Sequence, residues 1–153
     1  MKSQRITFIN NEGVKLAGKL ELPLDKRPEQ FAIFAHCFTC GKDLKAERNI
    51  ALTLTQKGWG VLRFDFTGLG QSEGDFSDSN FSSNVNDLFA AAKFLKENHE
   101  EPSLLIGHSL GGAAVLIAAA KMDSVRAIAT IGAPSSPEHV AHLFSESMEE
   151  IKE

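Results

Sequence analysis

Leu104-Leu105-Ile106-Gly107-His108-Ser109-Leu110-Gly111-Gly112-Ala113-Ala114 decides the reading of this chain. An apolar run reads as a strand buried on both faces, and an alanine-rich run over 111–121 reads as a helix. Between them lies Gly-x-Ser-x-Gly, a pattern that carries meaning only with a strand before it and a helix after it. Both are predicted here. Gly107 and Gly111 leave room for a sharp turn and for close approach of strand and helix. Ser109 would then project from that turn as a candidate nucleophile. The start of the helix adds free N–H groups and a positive dipole end. The Leu110 N–H is thereby placed to receive the oxyanion of a tetrahedral intermediate. The plainer alternative is a tight strand–helix turn with an incidental serine.

Outward from this point the chain alternates strand and helix. Residues 4–9 and 14–22 read as two strands joined at Asn10-Asn11-Glu12-Gly13, a hairpin signal. Residues 31–35 and 61–66 read as further strands, with a helix over 44–57 between them. A glycine-rich loop, Gly68-Leu69-Gly70-Gln71-Ser72-Glu73-Gly74, follows the second of these. Val85, Leu88, Phe89, Ala92 and Leu95 recur at helical spacing and predict an amphipathic helix over 83–98. A last strand is expected over 125–131 and a polar helix over 137–152. A hairpin followed by repeated βαβ units implies an α/β fold: a three-layer α/β/α sandwich on a mostly parallel sheet of about six strands. Active sites of such sheets lie at the carboxyl ends of the strands.

Composition narrows the classes. The 153 residues suit a single domain over 1–153, with 42% hydrophobic and 24% charged residues. A net charge of −4 with no basic block argues against nucleic acid. The apolar stretches are too short to span a membrane. The basic start, Met1-Lys2-Ser3-Gln4-Arg5, lacks the apolar core of a secretion signal, so a cytoplasmic location is expected. No cofactor or metal is expected. Cys37 and Cys40 have the Cys-x-x-Cys spacing of thiol redox motifs. They sit at a strand exit without the helix start such motifs use, so the plain reading is a loop.

Three segments together resemble the α/β-hydrolase superfamily over nearly the whole chain. They are His36-Cys37-Phe38-Thr39, Asp65-Phe66-Thr67-Gly68-Leu69-Gly70-Gln71-Ser72 and Gly107-His108-Ser109-Leu110-Gly111-Gly112. The first resembles the family's His-Gly-Phe segment, with Cys37 in place of glycine. The resemblance implies that Phe38 gives a second oxyanion N–H and that His36 braces the loop. The second is similar to a structural loop that Asp65 would anchor. His108, inside the turn, is expected to pack rather than act as the base. With Asn80-Phe81-Ser82-Ser83-Asn84-Val85 and Ile131-Gly132-Ala133-Pro134, the likeness narrows to hydrolase domains fused to osmotically-inducible-protein-C-type domains.

In that family the order is serine, acid, histidine. Only residues 110–153 follow Ser109, so the chain resembles the N-terminal part of a hydrolase that lacks the late strands. Asp123, at the far end of the helix after Ser109, belongs to the wrong end of the sheet. Glu138 and His142, four residues apart on one helical face, stand as a substitute acid and base. The plainer reading is a solvated helix with incidental histidines.

The resemblance implies a serine esterase acting on a small ester or acyl substrate, incomplete in this chain. The rival expectation is an inactive hydrolase-like module for binding or assembly. In either case the strand at 125–131 would be an unprotected edge, and edges invite pairing, so self-association is expected there.

Overall fold

The apolar run Phe31-Ala32-Ile33-Phe34-Ala35 explains the layering of the fold. Its residues alternate between two separate clusters, Phe31, Ile33 and Ala35 on one face and Ala32 and Phe34 on the other. A strand buried this way needs a helical layer on each side. The computed structural model describes residues 1–37 and 42–135 and supplies both layers.

Six strands form one sheet: β1 (Lys2–Ile9), β2 (Lys15–Leu22), β3 (Gln30–Ala35), β4 (Trp59–Phe64), β5 (Pro102–His108) and β6 (Ala127–Ile131). Their spatial order is β1-β2-β4-β3-β5-β6. The β1–β2 and β2–β4 pairs are antiparallel, and β4–β3, β3–β5 and β5–β6 are parallel. The helices are α1 (Lys45–Gln56), α2 (Phe81–Asn98) and α3 (Leu110–Ala119). Helix α1 packs through Ala51 on Ala32, Phe34, Val61 and Ile106. Helices α2 and α3 cover the opposite face, where Leu88, Leu95 and Val115 meet Ile33, Phe64 and Leu105. The mostly parallel three-layer sandwich expected from the sequence is the observed fold.

Element boundaries differ from the expectations in instructive places. Helix α2 begins at Phe81 rather than residue 83 because Asn80 caps it. The Ser83 N–H donates to Asn80 Oδ1 at 2.9 Å and the Asn80 N–H donates to Ser83 Oγ at 2.9 Å, a capping box. Strand β6 begins at Ala127 rather than residue 125, because Val125 is held in the turn leaving α3 by its N–H bond to Met122 O. A 3-10 turn at Phe76–Asp78, unforeseen, is capped by Asp75, which accepts from the Ser77 N–H. The helix expected over 137–152 lies outside the described residues.

Candidate active site

The site lies where the parallel strands end. Ser109 follows β5 and caps α3 with φ 53° and ψ −121°, the one non-glycine residue at positive φ among the described residues. Such a conformation costs a non-glycine residue energy and persists only where its surroundings enforce it. Here they do. The Ser109 N–H donates to Ile131 O at 2.8 Å, and the Ser109 carbonyl accepts from the Gly112 N–H at 2.9 Å. The flanking glycines permit the packing. A Cβ on Gly107 would stand 2.4 Å from Gly111 O, and one on Gly111 would stand 2.3 Å from Ala35 O and 2.5 Å from His36 O. The β5–α3 turn is thus pressed directly against the residues at which β3 ends. Ser109 is half-buried and Leu110 begins the helix, with the Gly112 and Ala113 N–H groups donating to the Ser109 carbonyl.

A second layer of the site is polar and closed. Asp65, one residue past β4, accepts from the Lys42 N–H at 2.9 Å, from Lys42 Nζ at 3.0 Å and from the Gln71 N–H at 3.0 Å. The Ser72 hydroxyl donates to Asp65 O at 2.5 Å and accepts from the Ala17 N–H at 2.9 Å, which ties the glycine-rich loop to β2. Asp65 therefore ties the Lys42 segment to the glycine-rich loop. His36 Nε2 lies 3.6 Å from Asp65 Oδ1 with no hydrogen bond of its own, and Nδ1 contacts the Cys37 carbonyl. Burial lowers the His36 pKa, so the ring is neutral at pH 7, and its edge meets Phe66. Cys37 is buried and disulfide-bonded, so it presents no free thiol.

Several buried charged groups escaped the sequence reading, among them Lys42, Arg63 and Glu47. Lys42 donates to Asp65, to Asp43 Oδ2 at 3.1 Å and to Gln71 Oε1 at 3.1 Å. Arg63 bonds Glu21 Oε1 at 2.5 Å and also donates to the Lys42 carbonyl. Glu47, on α1, is buried with neither carboxylate oxygen hydrogen-bonded. Burial raises its pKa to about 7, opposed by the Arg63 charge and assisted by Asp65 and Asp43. A signal existed for Arg63: a charge inside the apolar run Val61–Phe66 of a strand buried on both faces demands a buried partner. Nothing in the sequence pointed to Lys42 or Glu47.

The other expected residues fall as follows. His108 is half-buried at the end of β5, paired in register with Ile131. Asp123 borders a groove with Pro102 and Ser124, near the start of β5 and away from Ser109. His99, for which no role is expected, packs on Phe31 at the start of β3 and so also lies at the far end. Phe38, Cys40, Glu138 and His142 lie outside the described residues. No group of side chains suited to a metal is present among the described residues, and no described helix is long and apolar enough to cross a membrane.

A mostly parallel sheet with a strained serine between β5 and α3, beside the end of β3, defines an α/β-hydrolase. The chain belongs to the serine aminopeptidase, S33 family, whose model matches residues 34–152. It is 53% identical to the esterase domain of a Rhodothermus marinus protein, with a TM-score of 0.78, covering 93% of this chain and 55% of that one. It is 28% identical to Est1E from Butyrivibrio proteoclasticus, solved with ferulic acid bound, with a TM-score of 0.74, covering 80% of this chain and 51% of that one. It is 25% identical to the α/β-hydrolase GrgF from Penicillium sp. sh18, with a TM-score of 0.78, covering 97% of this chain and 53% of that one. The chain thus spans about half the length of these structures. No match is found among curated proteins.

Proposed function

We propose that this chain is the nucleophile-bearing part of a serine esterase acting on a small carboxylic ester. The strained backbone of Ser109, φ 53° at the mouth of α3, carries this reading. In it, Ser109 Oγ attacks the ester carbonyl carbon while its proton passes to a base. The carbonyl oxygen becomes an oxyanion held by the N–H groups of Leu110 and Phe38. The tetrahedral intermediate collapses, the C–O bond to the alcohol breaks, and the alcohol leaves with that proton. Water then hydrolyses the acyl-serine. The similarity to the Rhodothermus marinus esterase domain supports this chemistry.

Neither His36, buried and neutral, nor His99, at the far end of the sheet, suits the role of base. A base and its orienting acid supplied from a longer parent protein fit the half-length match to the solved structures. The Glu138–His142 pair is the alternative source. A parent that also carries an osmotically-inducible-protein-C-type domain belongs to the same proposal, supported by the segments quoted for that likeness. Labelling with a fluorophosphonate probe tests the reading. Modification of Ser109 in the full-length protein, lost in Ser109→Ala, is expected. A full-length protein whose Ser109 stays unmodified overturns it.

A second reading rests on β6, whose five residues are all exposed. In this reading the chain is an assembly module that self-associates through that edge, and Ser109 has no catalytic partner. Ester hydrolysis by the full-length protein would overturn it.

A further inference from the structure

Lys42 is an anomaly that the chemistry above does not use. Its side chain is 3% exposed, yet it carries an ammonium group with three donors. All three are taken, by Asp65 Oδ2, Asp43 Oδ2 and Gln71 Oε1. Stability alone is a poor reason for such a residue, because an apolar side chain of similar volume generally serves a buried position as well or better. What the ammonium adds is geometry.

Its partners stand on two different loops. Asp43 belongs to the segment that leaves β3 and leads into α1. Asp65 and Gln71 belong to the glycine-rich loop after β4. The backbone of residue 42 is held as well, its N–H by Asp65 Oδ1 and its carbonyl by Arg63, which Glu21 on β2 holds in turn. A continuous polar chain therefore runs from β2 through β4 to the β3–α1 segment and on to the glycine-rich loop. The same β3–α1 segment starts against the serine turn: Gly111 abuts the carbonyls of Ala35 and His36 too closely for any Cβ.

We propose that Lys42 is a positioning residue: its buried ammonium locks residues 42–43 to the glycine-rich loop and holds Asp65 beside His36, and so braces the oxyanion-binding side of the Ser109 site. This rests on the serine-hydrolase reading for its consequence, but the lock itself can be measured separately. Oxyanion donors act only when held within a fraction of an ångström of the charge they stabilise. A lock of this kind affects reaction and leaves initial binding unchanged.

The test compares wild type, Lys42→Met and the control Leu95→Ala in the full-length protein. Leu95 is a fully buried core residue of α2, so its truncation lowers stability without touching the polar chain. Fluorophosphonate labelling of Ser109 is resolved into a dissociation constant and a maximal rate. Lys42→Met is expected to lower the maximal rate by about tenfold or more with an unchanged dissociation constant, and Leu95→Ala to leave both unchanged. Amide exchange at 36–43 and 65–72 is expected to quicken by about tenfold in Lys42→Met relative to α2. A folded Lys42→Met protein that labels at the wild-type rate overturns the proposal, as does unchanged exchange in those two segments. Should Lys42→Met fail to fold, Gln71→Leu, which removes one exposed acceptor, is expected to slow labelling about twofold to threefold, and wild-type labelling by it overturns the proposal. Wild-type protein that never labels sinks the hydrolase reading instead, and exchange alone then decides the lock.

Discussion

The two flanks of the sheet are built on opposite terms. On the β2–β4–β3 side, charge is buried and paired: Asp65 is 1% exposed, with Lys42 and Gln71 donating to its carboxylate. On the β5–β6 side, apolar groups stand in solvent. Leu116 of α3 is 48% exposed and Ile128 of β6 is 41% exposed, and both line one groove with Ala119, Val125 and Ala127. The second face of β6 carries Ala127, Ala129 and exposed Ile131. A parallel strand of this composition is normally covered on both faces. Helix α3 is apolar all round, Leu-Gly-Gly-Ala-Ala-Val-Leu-Ile-Ala-Ala, the pattern of a helix meant for full burial. The difference separates a braced flank from an exposed one. Ser109 and the loops beside it are braced from within, whereas among the described residues the outer side of β6 has no partner strand.

Removing the hub of the closed side gives the largest effect. Asp65→Ala leaves Lys42 buried with its main counter-charge gone, and a loss of about 3–5 kcal/mol is expected from the urea midpoint. A loss below about 1 kcal/mol would mean that water reaches Lys42 and that this side is not closed.

Next in size is the pH dependence set by Glu47, in the same region. Its pKa is raised from 4.5 to about 7, mainly by burial. The folded chain therefore holds this proton across a window in which the unfolded chain has released it. Stability falls as pH rises from 4.5 to about 7 and stays lower above. Glu47→Gln removes that slope, and at pH 8 it is expected to exceed wild type by up to about 3 kcal/mol. Parallel stability–pH curves for the two proteins would show that Glu47 is solvated.

The open flank answers with a smaller number. Leu116→Ala is expected to cost under about 1 kcal/mol, against about 2–5 kcal/mol for Leu95→Ala in the core. A core-sized loss at Leu116 would show that something covers α3 in solution.

The sequence reveals the two flanks unequally, for a physical reason. Strand and helix periodicity is a property of neighbours along the chain, so β3, β5, α2 and the Asn10–Gly13 hairpin were readable directly. Ser109 was readable because the turn that bears it demands glycine at two fixed offsets. The place of β6 at the end of the described strand order was expected from the sheet order that the resemblance implies. The charged knot did not follow, because Lys42 meets Gln71, and Arg63 meets Glu21, only through the packing of loops distant in sequence. Asp65 was assigned to the glycine-rich loop by resemblance, but its hold on Lys42 is a tertiary fact. Glu47 shows the limit most clearly. It occupies an ordinary acidic position in the first turn of α1, and only burial makes it unusual.

The smallest effect on folding tests the most specific consequence of the comparison. Strand β6 is Ala-Ile-Ala-Thr-Ile, with no charge or proline of the kind that normally discourages pairing at an edge. Its partners among the described residues are β5 and the Ser109 N–H that follows β5, and no described strand pairs with its other edge. A second copy offers the same surface, so two edges brought together would pair and bury Ile128 beside Leu116. Ile128→Lys places a charge on this strand where it is already exposed, so stability is expected to change by no more than about 0.5 kcal/mol. Self-association in sedimentation velocity is expected for the wild-type chain and absent for the variant, because pairing would bury two lysines at the new seam. Association that persists in Ile128→Lys would move the contact away from β6. A wild-type chain that stays monomeric at high concentration would show that a bare edge of five residues does not suffice for pairing.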